Sequence, residues 1–370
     1  MASADRLSGL ADDLLQRILS FAPAKEAAAS AALSRRWRPL WRRTGALNLD
    51  SRPYSRQHSR FYHGDRFDDF FRHGKAALAS RLGTALKRLT LYLLEDAYLV
   101  GDKWHYRRND DVVPEYDTRV AGLLADPAAT ALEELRIAGE CAFVCITIED
   151  IVSDDCYRYG DQTFTGDQKP GEEVILPTFL NLRLLEIDAS FNYRDSNTAS
   201  ALATLLRACP AMSELRLRLN MNRDYHYDRE TKEQVGGPFA QSTESFNRLG
   251  SMCAKHRDDV ELGGVSELPA AFANSCTFGC LRTSLRKVTL QFKSNEHNCF
   301  QVQLARFLVE NAMVLEEMHV EDGNQFWPDH LLGKLTRWRA DAFRLRNLPD
   351  TAGFQVFQLA NPVVDPEVNY

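Results

Sequence analysis

The residues in this sequence that most resemble a chemical site are cysteines and histidines, which can bind a metal. They occur as three short pairs that could bind a metal: Cys253 with His256, Cys276 with Cys280, and His297 with Cys299. Structural zinc sites usually combine two matched, closely spaced pairs of ligands, whereas these three spacings differ from one another. We therefore expect buried thiols and surface imidazoles, with no metal and no other cofactor.

Motifs for catalysis are missing from the chain. The sequence has no glycine-rich phosphate loop, no Gly-x-Ser-x-Gly turn and no His-Glu-x-x-His pair. Such motifs fix a phosphate, a nucleophile or a metal-bound water where a reaction occurs. Their absence from the sequence favours a binding protein over an enzyme.

Residues 52–73 mix arginines with phenylalanine and tyrosine rings, a combination that can bind single-stranded nucleic acid. However, Asp65, Asp68 and Asp69 lie in the same stretch, and the aromatic residues recur at helical spacing. We favour a helix that links the N-terminal segment to the next domain, and we expect no nucleic-acid partner.

The composition is that of an ordinary globular protein. The chain has 370 residues and a net charge of −6, which argues against a broadly basic nucleic-acid binder. Its start lacks a basic region followed by an apolar run, and no stretch reaches the roughly eighteen apolar residues of a membrane span. We expect a soluble intracellular protein with reduced cysteines, located in the nucleus and/or the cytoplasm.

The first 45 residues predict three short helices. Asp12 is a suitable N-cap for a first helix, in which apolar residues recur at helical spacing from Leu14 to Leu19. Residues 25–32 form an alanine-rich second helix, and Ser34 can cap a third. The third helix has three large apolar residues on one face: Trp37, Leu40 and Trp41. So small a unit with so much apolar surface indicates a partner.

These residues resemble the F-box of plant F-box proteins with leucine-rich repeats. The resemblance rests on Asp5-Arg6-Leu7-Ser8-Gly9-Leu10-Ala11-Asp12-Asp13-Leu14-Leu15-Gln16-Arg17-Ile18-Leu19-Ser20-Phe21 and Leu33-Ser34-Arg35-Arg36-Trp37-Arg38-Pro39-Leu40-Trp41, about a ninth of the chain. Ala11 and Ala22 depart from the proline and leucine that are usual in the family, which weakens the expected partner contact without removing its main anchors.

The resemblance implies a non-catalytic substrate-recognition subunit of an SCF-type ubiquitin ligase. In that family the F-box binds a Skp-type adaptor, which is attached to a cullin, and the rest of the chain captures an unidentified protein substrate. The alternative is a repeat scaffold whose N-terminal helices are only a folded cap. The adaptor contact is predicted to involve six apolar residues: Leu10, Leu14, Leu15, Ile18, Leu33 and Trp37.

A second pattern, Leu-x-x-Leu-x-Leu or a close variant, recurs six times, with starts at Leu86, Leu132, Leu182, Met212, Leu285 and Leu315. In a leucine-rich repeat, the alternating residues of a short strand point into the core and a helix or loop returns outside. The intervals exceed the roughly 20 to 29 residues of regular repeats, which indicates an irregular array. Helical returns are predicted at 120–124, 202–206 and 304–308, and surface loops at 149–173 and 222–237.

A C-terminal cap is predicted after Val320. Pro328 can begin an amphipathic helix with Leu331, Leu332, Leu335 and Trp338, and Phe354–Val356 alternates like a strand. The run 307–318 resembles the FBD region of plant F-box proteins. The predicted fold is α/β: a three-helix F-box (1–45), an irregular leucine-rich-repeat solenoid with parallel strands (46–322) and a C-terminal cap (323–370).

The outward-facing template positions form the predicted substrate surface. If the strands are parallel, Arg136, Glu186 and Arg216 become neighbours, and they either neutralise one another as a cross-strand ladder or contact the substrate. The sequence leaves both alternatives open. The predicted substrate-binding residues are Arg88, Arg136, Glu186, Arg216, Lys287 and His319.

Overall fold

A computed structural model describes residues 7, 9–54, 64–81, 83–93, 119–139, 176–192, 196–222, 272, 278–292, 299–321, 328–348 and 353–359. These residues form a mixed helix–strand structure built on one eight-stranded sheet. The fold is compatible with an α/β repeat region. Among the described residues, no helix combines the length and the apolarity needed to cross a bilayer.

The eight strands are parallel and lie in the sheet in the order of the sequence, so each strand pairs with the next along the chain. The predicted parallel strands are thereby confirmed. The strands are β1 (Ala46–Asp50), β2 (Arg88–Leu93), β3 (Glu134–Gly139), β4 (Leu184–Asn192), β5 (Glu214–Asn222), β6 (Lys287–Phe292), β7 (Glu317–Glu321) and β8 (Gln355–Gln358).

The template residues of successive strands are aligned by the register and form the core. Leu89 faces Leu135, Leu135 faces Leu185, and the row continues through Leu215 to Val288, all of them fully buried. Because side chains alternate across a strand, the residues between them face the opposite surface. Each fully buried leucine contributes roughly 1.5 to 3 kcal/mol, so the repeated pattern is the main source of stability.

Helices return the chain between several strands. Their buried faces join the strand residues in one large apolar core, which includes Leu123, Leu205 and Leu308 of the three predicted returns. Those returns are confirmed as helices. The helices that follow β1 are α3 (Gly64–Ala79), α4 (Arg119–Leu124), α5 (Ser196–Ala208), α6 (Gly279–Thr283), α7 (Cys299–Asn311) and α8 (Pro328–Leu345).

A tight contact ends β3. Gly139 has a φ of +156°, and a Cβ at this position would lie 1.8 Å from the carbonyl oxygen of Leu93 on β2. Only glycine lets the two backbones approach this closely.

The N-terminal segment contains α1 (Asp12–Leu19), α2 (Ala24–Ala29) and two 3₁₀ turns, Ser30–Ala32 and Trp41–Arg43. The predicted third α-helix is wrong, because residues 34–40 form turns with hydrogen bonds to the third residue back. Pro39 lacks an N–H group and disfavours helical backbone in the residue before it, which explains the irregular geometry. Ser34 therefore caps no helix.

Asp12 is the first helical residue of α1, and the N-cap is Ala11, so the predicted cap is one residue displaced. Asp12 still lies where a negative charge is favourable near a helix N-terminus, and it accepts a 2.7 Å hydrogen bond from Nε of Arg36. The segment has a small core of its own: Leu15, Leu19, Ala27, Trp37 and Leu40.

Helix α3 confirms the predicted linking helix over residues 64–73, whereas residues 55–63 lie outside the described part. Phe70 and Phe71 are buried in the main core, and their rings meet edge to face with centroids 5.0 Å apart. These two rings pack inward and are therefore not free to stack on bases.

The C-terminal helix and strand are present as predicted, and the buried Arg339 attaches helix α8 to helix α7. Of the eight cysteines, Cys209 and Cys280 are buried free thiols. Burial raises the pKa of the Cys280 thiol to about 11 and also raises the pKa of Cys209. The predicted loop at 149–173, residues 223–237, and Cys141, Cys145, Cys253, His256, Cys276 and His297 lie outside the described residues.

Candidate adaptor interface and strand surface

Helix α1 divides its four large apolar residues between two faces. Leu15 and Leu19 are buried in the small N-terminal core, whereas the side chains of Leu14 and Ile18 are each 46% exposed. Residues four apart lie on the same side of a helix, so Leu14 and Ile18 form one outward stripe. Phe21, three residues after Ile18, is 68% exposed just beyond the helix.

The N-terminal segment exposes five large apolar side chains. We call them the exposed apolar set: Leu7, Leu14, Ile18, Phe21 and Leu33. About forty residues thus leave five large apolar side chains in contact with water. This exposure does not stabilise the fold, because removing apolar surface from water is favourable. A contiguous exposed stripe such as that of Leu14, Ile18 and Phe21 is typical of a protein contact.

The six predicted adaptor residues fall into two groups. Leu14, Ile18 and Leu33 are exposed and available to a partner, whereas Leu15 and Trp37 are buried in the small core and Leu10 is partly buried against it. Leu15 and Trp37 support the surface from within the small core, and the adaptor contact of the six residues stays a prediction. Leu7 and Phe21 are also exposed, and Phe21 continues the stripe of Leu14 and Ile18.

The N-terminal segment is attached to the first strands of the sheet. Nδ2 of Asn48, on β1, donates hydrogen bonds to the carbonyl oxygens of Ser20 (2.9 Å) and Ala22 (3.1 Å). Arg88, on β2, lies 3.5 Å from the hydroxyl of Ser20, and its guanidinium is 5.4 Å from the centre of the Phe21 ring. Arg88 thus contacts the N-terminal segment, and its role as a substrate residue stays a prediction.

Three predicted substrate residues form a ladder of charges across β3, β4 and β5. The Glu186 carboxylate lies 3.7 Å from Arg136 and 3.5 Å from Arg216. Glu134 and Glu214 extend the ladder, at 3.5 Å from Arg136 and 2.8 Å from Arg216. The predicted proximity of the three residues is confirmed, and every charge of the ladder has a partner of opposite sign.

The last three strands present a different surface. Glu317 lies 3.2 Å from Nζ of Lys287 and 3.1 Å from Nε2 of His319, and these hydrogen bonds hold the pKa of Glu317 below its usual value. The His319 ring stacks on Phe357 of β8 with centroids 4.8 Å apart. Lys287 and His319 thus lie on one polar surface beside an aromatic ring.

A third polar group lies at the end of β1. Partial burial acts to raise the pKa of Asp50, but hydrogen bonds from the side chain and backbone of Arg52 outweigh it and hold that pKa below its ordinary value. The Arg52 guanidinium also lies 4.6 Å from the centre of the Tyr92 ring. Within the described ranges, no group of three or more metal-binding side chains occurs.

Comparison with known proteins identifies the N-terminal module. Residues 7–45 match the family model for the F-box domain, which confirms the predicted resemblance. An F-box generally marks a component of SCF complexes and indicates binding to a Skp-type adaptor. The exposed apolar set lies entirely within the matched residues.

The relatives are plant proteins. An F-box/FBD/LRR-repeat protein of Arabidopsis thaliana is 45% identical over 71 residues, 19% of this chain and 14% of that protein. A putative FBD-associated F-box protein of the same plant is 52% identical over 50 residues, 14% of this chain and 27% of that protein. A second F-box/FBD/LRR-repeat protein is 36% identical over 92 residues, 25% of this chain and 20% of that protein.

The matches cover less than a third of each of these three relatives. The shared segments are 50 to 92 residues long, and the names of these proteins combine F-box with FBD and, in two of the three, with leucine-rich repeats. The chain therefore resembles plant F-box proteins with FBD and leucine-rich-repeat regions, as predicted.

Proposed function

We propose that this protein is a substrate-recognition subunit of an SCF-type ubiquitin ligase. The main support is the exposed apolar set, which lies within the F-box match and leaves large apolar side chains in contact with water. The F-box binds a Skp-type adaptor through Leu14, Ile18 and Phe21, and the adaptor joins the chain to a cullin. The protein itself is non-catalytic, because other subunits transfer ubiquitin.

The sheet supplies the substrate surface in this proposal. Its polar face offers the Arg136–Glu186–Arg216 ladder at the centre and the Lys287–His319 surface near the last strand. The chain is organised as an F-box (1–45), an irregular leucine-rich-repeat solenoid (46–322) and a cap (323–370). The protein acts in the nucleus and/or the cytoplasm on an unidentified protein substrate.

The test is adaptor binding by the full chain with Leu14→Asp and Ile18→Asp combined. Both side chains are exposed, so the double variant should fold normally while losing two central contacts. Central apolar contacts each contribute about 2 kcal/mol or more, so binding to a purified Skp-type adaptor should weaken at least about 100-fold. Calorimetry measures the affinity, and circular dichroism checks the fold.

The matched control is Leu345→Asp, which adds a charge at a leucine that is 81% exposed on α8, far along the chain from the F-box. This variant should bind the adaptor like the wild type. Undiminished binding by the double variant would contradict the proposed interface. A wild-type chain that binds no Skp-type adaptor would instead favour a repeat scaffold unconnected to ubiquitin.

A further inference from the structure

A cavity of about 400 Å³ opens at the edge of the sheet where β3, β4, β5 and β6 begin. Ligand pockets in proteins span about 300 to 1,000 Å³, so the cavity has room for a small polar group. Its wall is mixed, because Leu180 and Ala211 also line it, and the polar residues that concern the argument are Glu133, Asn181, Arg183, Ser213, Ser284 and Arg286.

The residues just before β2 to β7 form a row of mostly charged side chains along this edge. Backbone hydrogen bonds align the row in the order Lys87, Glu133, Arg183, Ser213, Arg286 and Glu316. The signs alternate except at Ser213, where a neutral residue stands between two arginines. Lys87 pairs with Glu133 at 3.0 Å, and Arg286 pairs with Glu316.

Arg183 lines the cavity, and among the described residues it has no carboxylate within ion-pair distance. Of the two residues beside Arg183 in the row, Glu133 forms an ion pair with Lys87 and Ser213 is uncharged. Because adjacent strands lie about 4.8 Å apart, Arg183 and Arg286 have backbones about 10 Å apart, a separation that lets both reach one small anion between them.

Polar groups complete the wall. The hydroxyls of Ser213 and Ser284 bond to backbone carbonyls nearby, and a hydroxyl can rotate to donate to a ligand instead. The side-chain amide of Asn181 adds further donors. The Arg183 guanidinium, the N–H groups of Arg286 that do not bond to Glu316, and the hydroxyl and amide donors together suit a tetrahedral oxyanion, since arginine binds phosphate oxygens in pairs.

We propose that this cavity is a binding site for a phosphate monoester or inorganic phosphate, with Arg183 and Arg286 as the charged ligands. This inference goes beyond the proposed function and does not depend on it. The shared chemistry has two sources, a phosphorylated side chain of another protein or a free phosphate compound, and the two are separated by the choice of probe.

The experiment titrates the purified full chain with inorganic phosphate and with a short phosphoserine peptide, at constant ionic strength, and follows binding by calorimetry. Saturable binding of at least one probe is expected, and the unphosphorylated peptide should not bind. Tighter binding of the phosphopeptide assigns the site to phosphorylated protein, whereas equal or tighter binding of phosphate assigns it to a free compound.

Two variants test the location. Arg183→Gln should weaken binding at least about tenfold, because it removes the unpaired charge. Ser213→Asp, which completes the alternation of charges along the edge, should weaken it as much. The matched control, Arg337→Gln, removes an exposed arginine of α8 that does not line the cavity, and it should bind like the wild type. No saturable binding of either probe, or equal weakening by Arg183→Gln and Arg337→Gln, would overturn the proposal.

Discussion

Arg339 joins the C-terminal helix to the helix and strand before it. Its guanidinium is almost fully buried and lies 4.5 Å and 4.6 Å from the ring centres of Phe343 and Phe354. It also donates hydrogen bonds to four backbone carbonyl oxygens at and beyond the end of helix α7: those of Val309, Ala312, Met313 and Leu315. Carbonyls at a helix C-terminus lack partners within the helix, so one arginine satisfies groups that would otherwise be buried without hydrogen bonds.

Arg339→Lys should therefore destabilise the protein although it preserves the charge. An ammonium group cannot reach four separated carbonyls as the planar guanidinium does, and buried acceptors left unpaired cost about 1 to 3 kcal/mol each. We expect the free energy of unfolding in guanidinium chloride to fall by about 2 to 4 kcal/mol. Arg337→Lys, on the exposed side of the same helix, should change it by less than about 0.5 kcal/mol. Equal stability of the two variants would disprove this role of Arg339.

The lowered pKa of Asp50 predicts that the free energy of unfolding depends on pH. Its pKa is lowered in the folded protein, so its contribution is complete above the unfolded pKa of about 3.9 and is lost as the pH falls through the folded value. Asp50→Asn should reduce the free energy of unfolding at pH 7 by roughly 0 to 1 kcal/mol, because its partner Arg52 is largely exposed. The difference from the wild type should disappear near pH 2, and a difference that stays constant from pH 7 to pH 2 would rule out this titration.

At the scale of elements, the junction of the F-box with β1 depends on one side-chain amide. Asn48→Ala removes both hydrogen bonds to the loop after α1 and leaves the carbonyls of Ser20 and Ala22 without this donor. We expect the F-box to open more readily by about 1 to 2 kcal/mol, seen as faster hydrogen exchange of the α1 amides. Thr90→Ala alters the register neighbour of Asn48 on β2 and should leave that exchange unchanged. Equal exchange in the two variants would show that the amide does not hold the junction.

Some strands could be predicted from the sequence and one could not, and the reason is physical. The strands that follow Leu86, Leu132 and Leu182 carry the full apolar template, because each must fill the same core. Strand β1 was missed because the buried Thr44 stands where the template has its first leucine. Thr44 instead donates hydrogen bonds to the carbonyl oxygens of Trp41 and Ala46, which a leucine could not do.

The interface could be predicted only in part for a related reason. Leu14, Leu15, Ile18 and Leu19 form two adjacent stripes on α1, and helical spacing alone does not say which stripe faces inward. That choice depends on where Trp37 and Leu40 approach, and these residues lie in irregular turns that the helix pattern did not predict. The charge ladder, in contrast, followed directly from parallel register.

At the scale of the whole molecule, the ladder joins three strands from distant parts of the sequence. Arg136→Glu with Arg216→Glu would place Glu186 between two like charges, beside Glu134 and Glu214. We expect the free energy of unfolding to fall by about 1 to 2 kcal/mol, with adaptor binding unchanged. The control for net charge is Arg282→Glu with Arg337→Glu, which reverses the charge of two exposed arginines outside the ladder.

Substrate ubiquitination separates the two roles of the ladder. Lower stability with no selective loss of ubiquitination assigns these residues to structure alone, whereas lost ubiquitination at unchanged stability assigns them to the substrate. If the control variant lost as much stability as the ladder variant, the overall charge would account for the effect and the cross-strand pairs would not.

Because the F-box is attached to β1, the position of a strand in the sheet sets its distance from the F-box. The eight strands follow one another without exchange of order, so each step away from β1 adds about 4.8 Å, and seven steps reach roughly 34 Å. A protein held at β3 to β5 would lie about 10 to 19 Å from β1, and one held at β8 nearly twice as far as β5. Under the proposed function, the strand that binds a substrate would therefore set the distance of the substrate's lysines from the ubiquitin carrier.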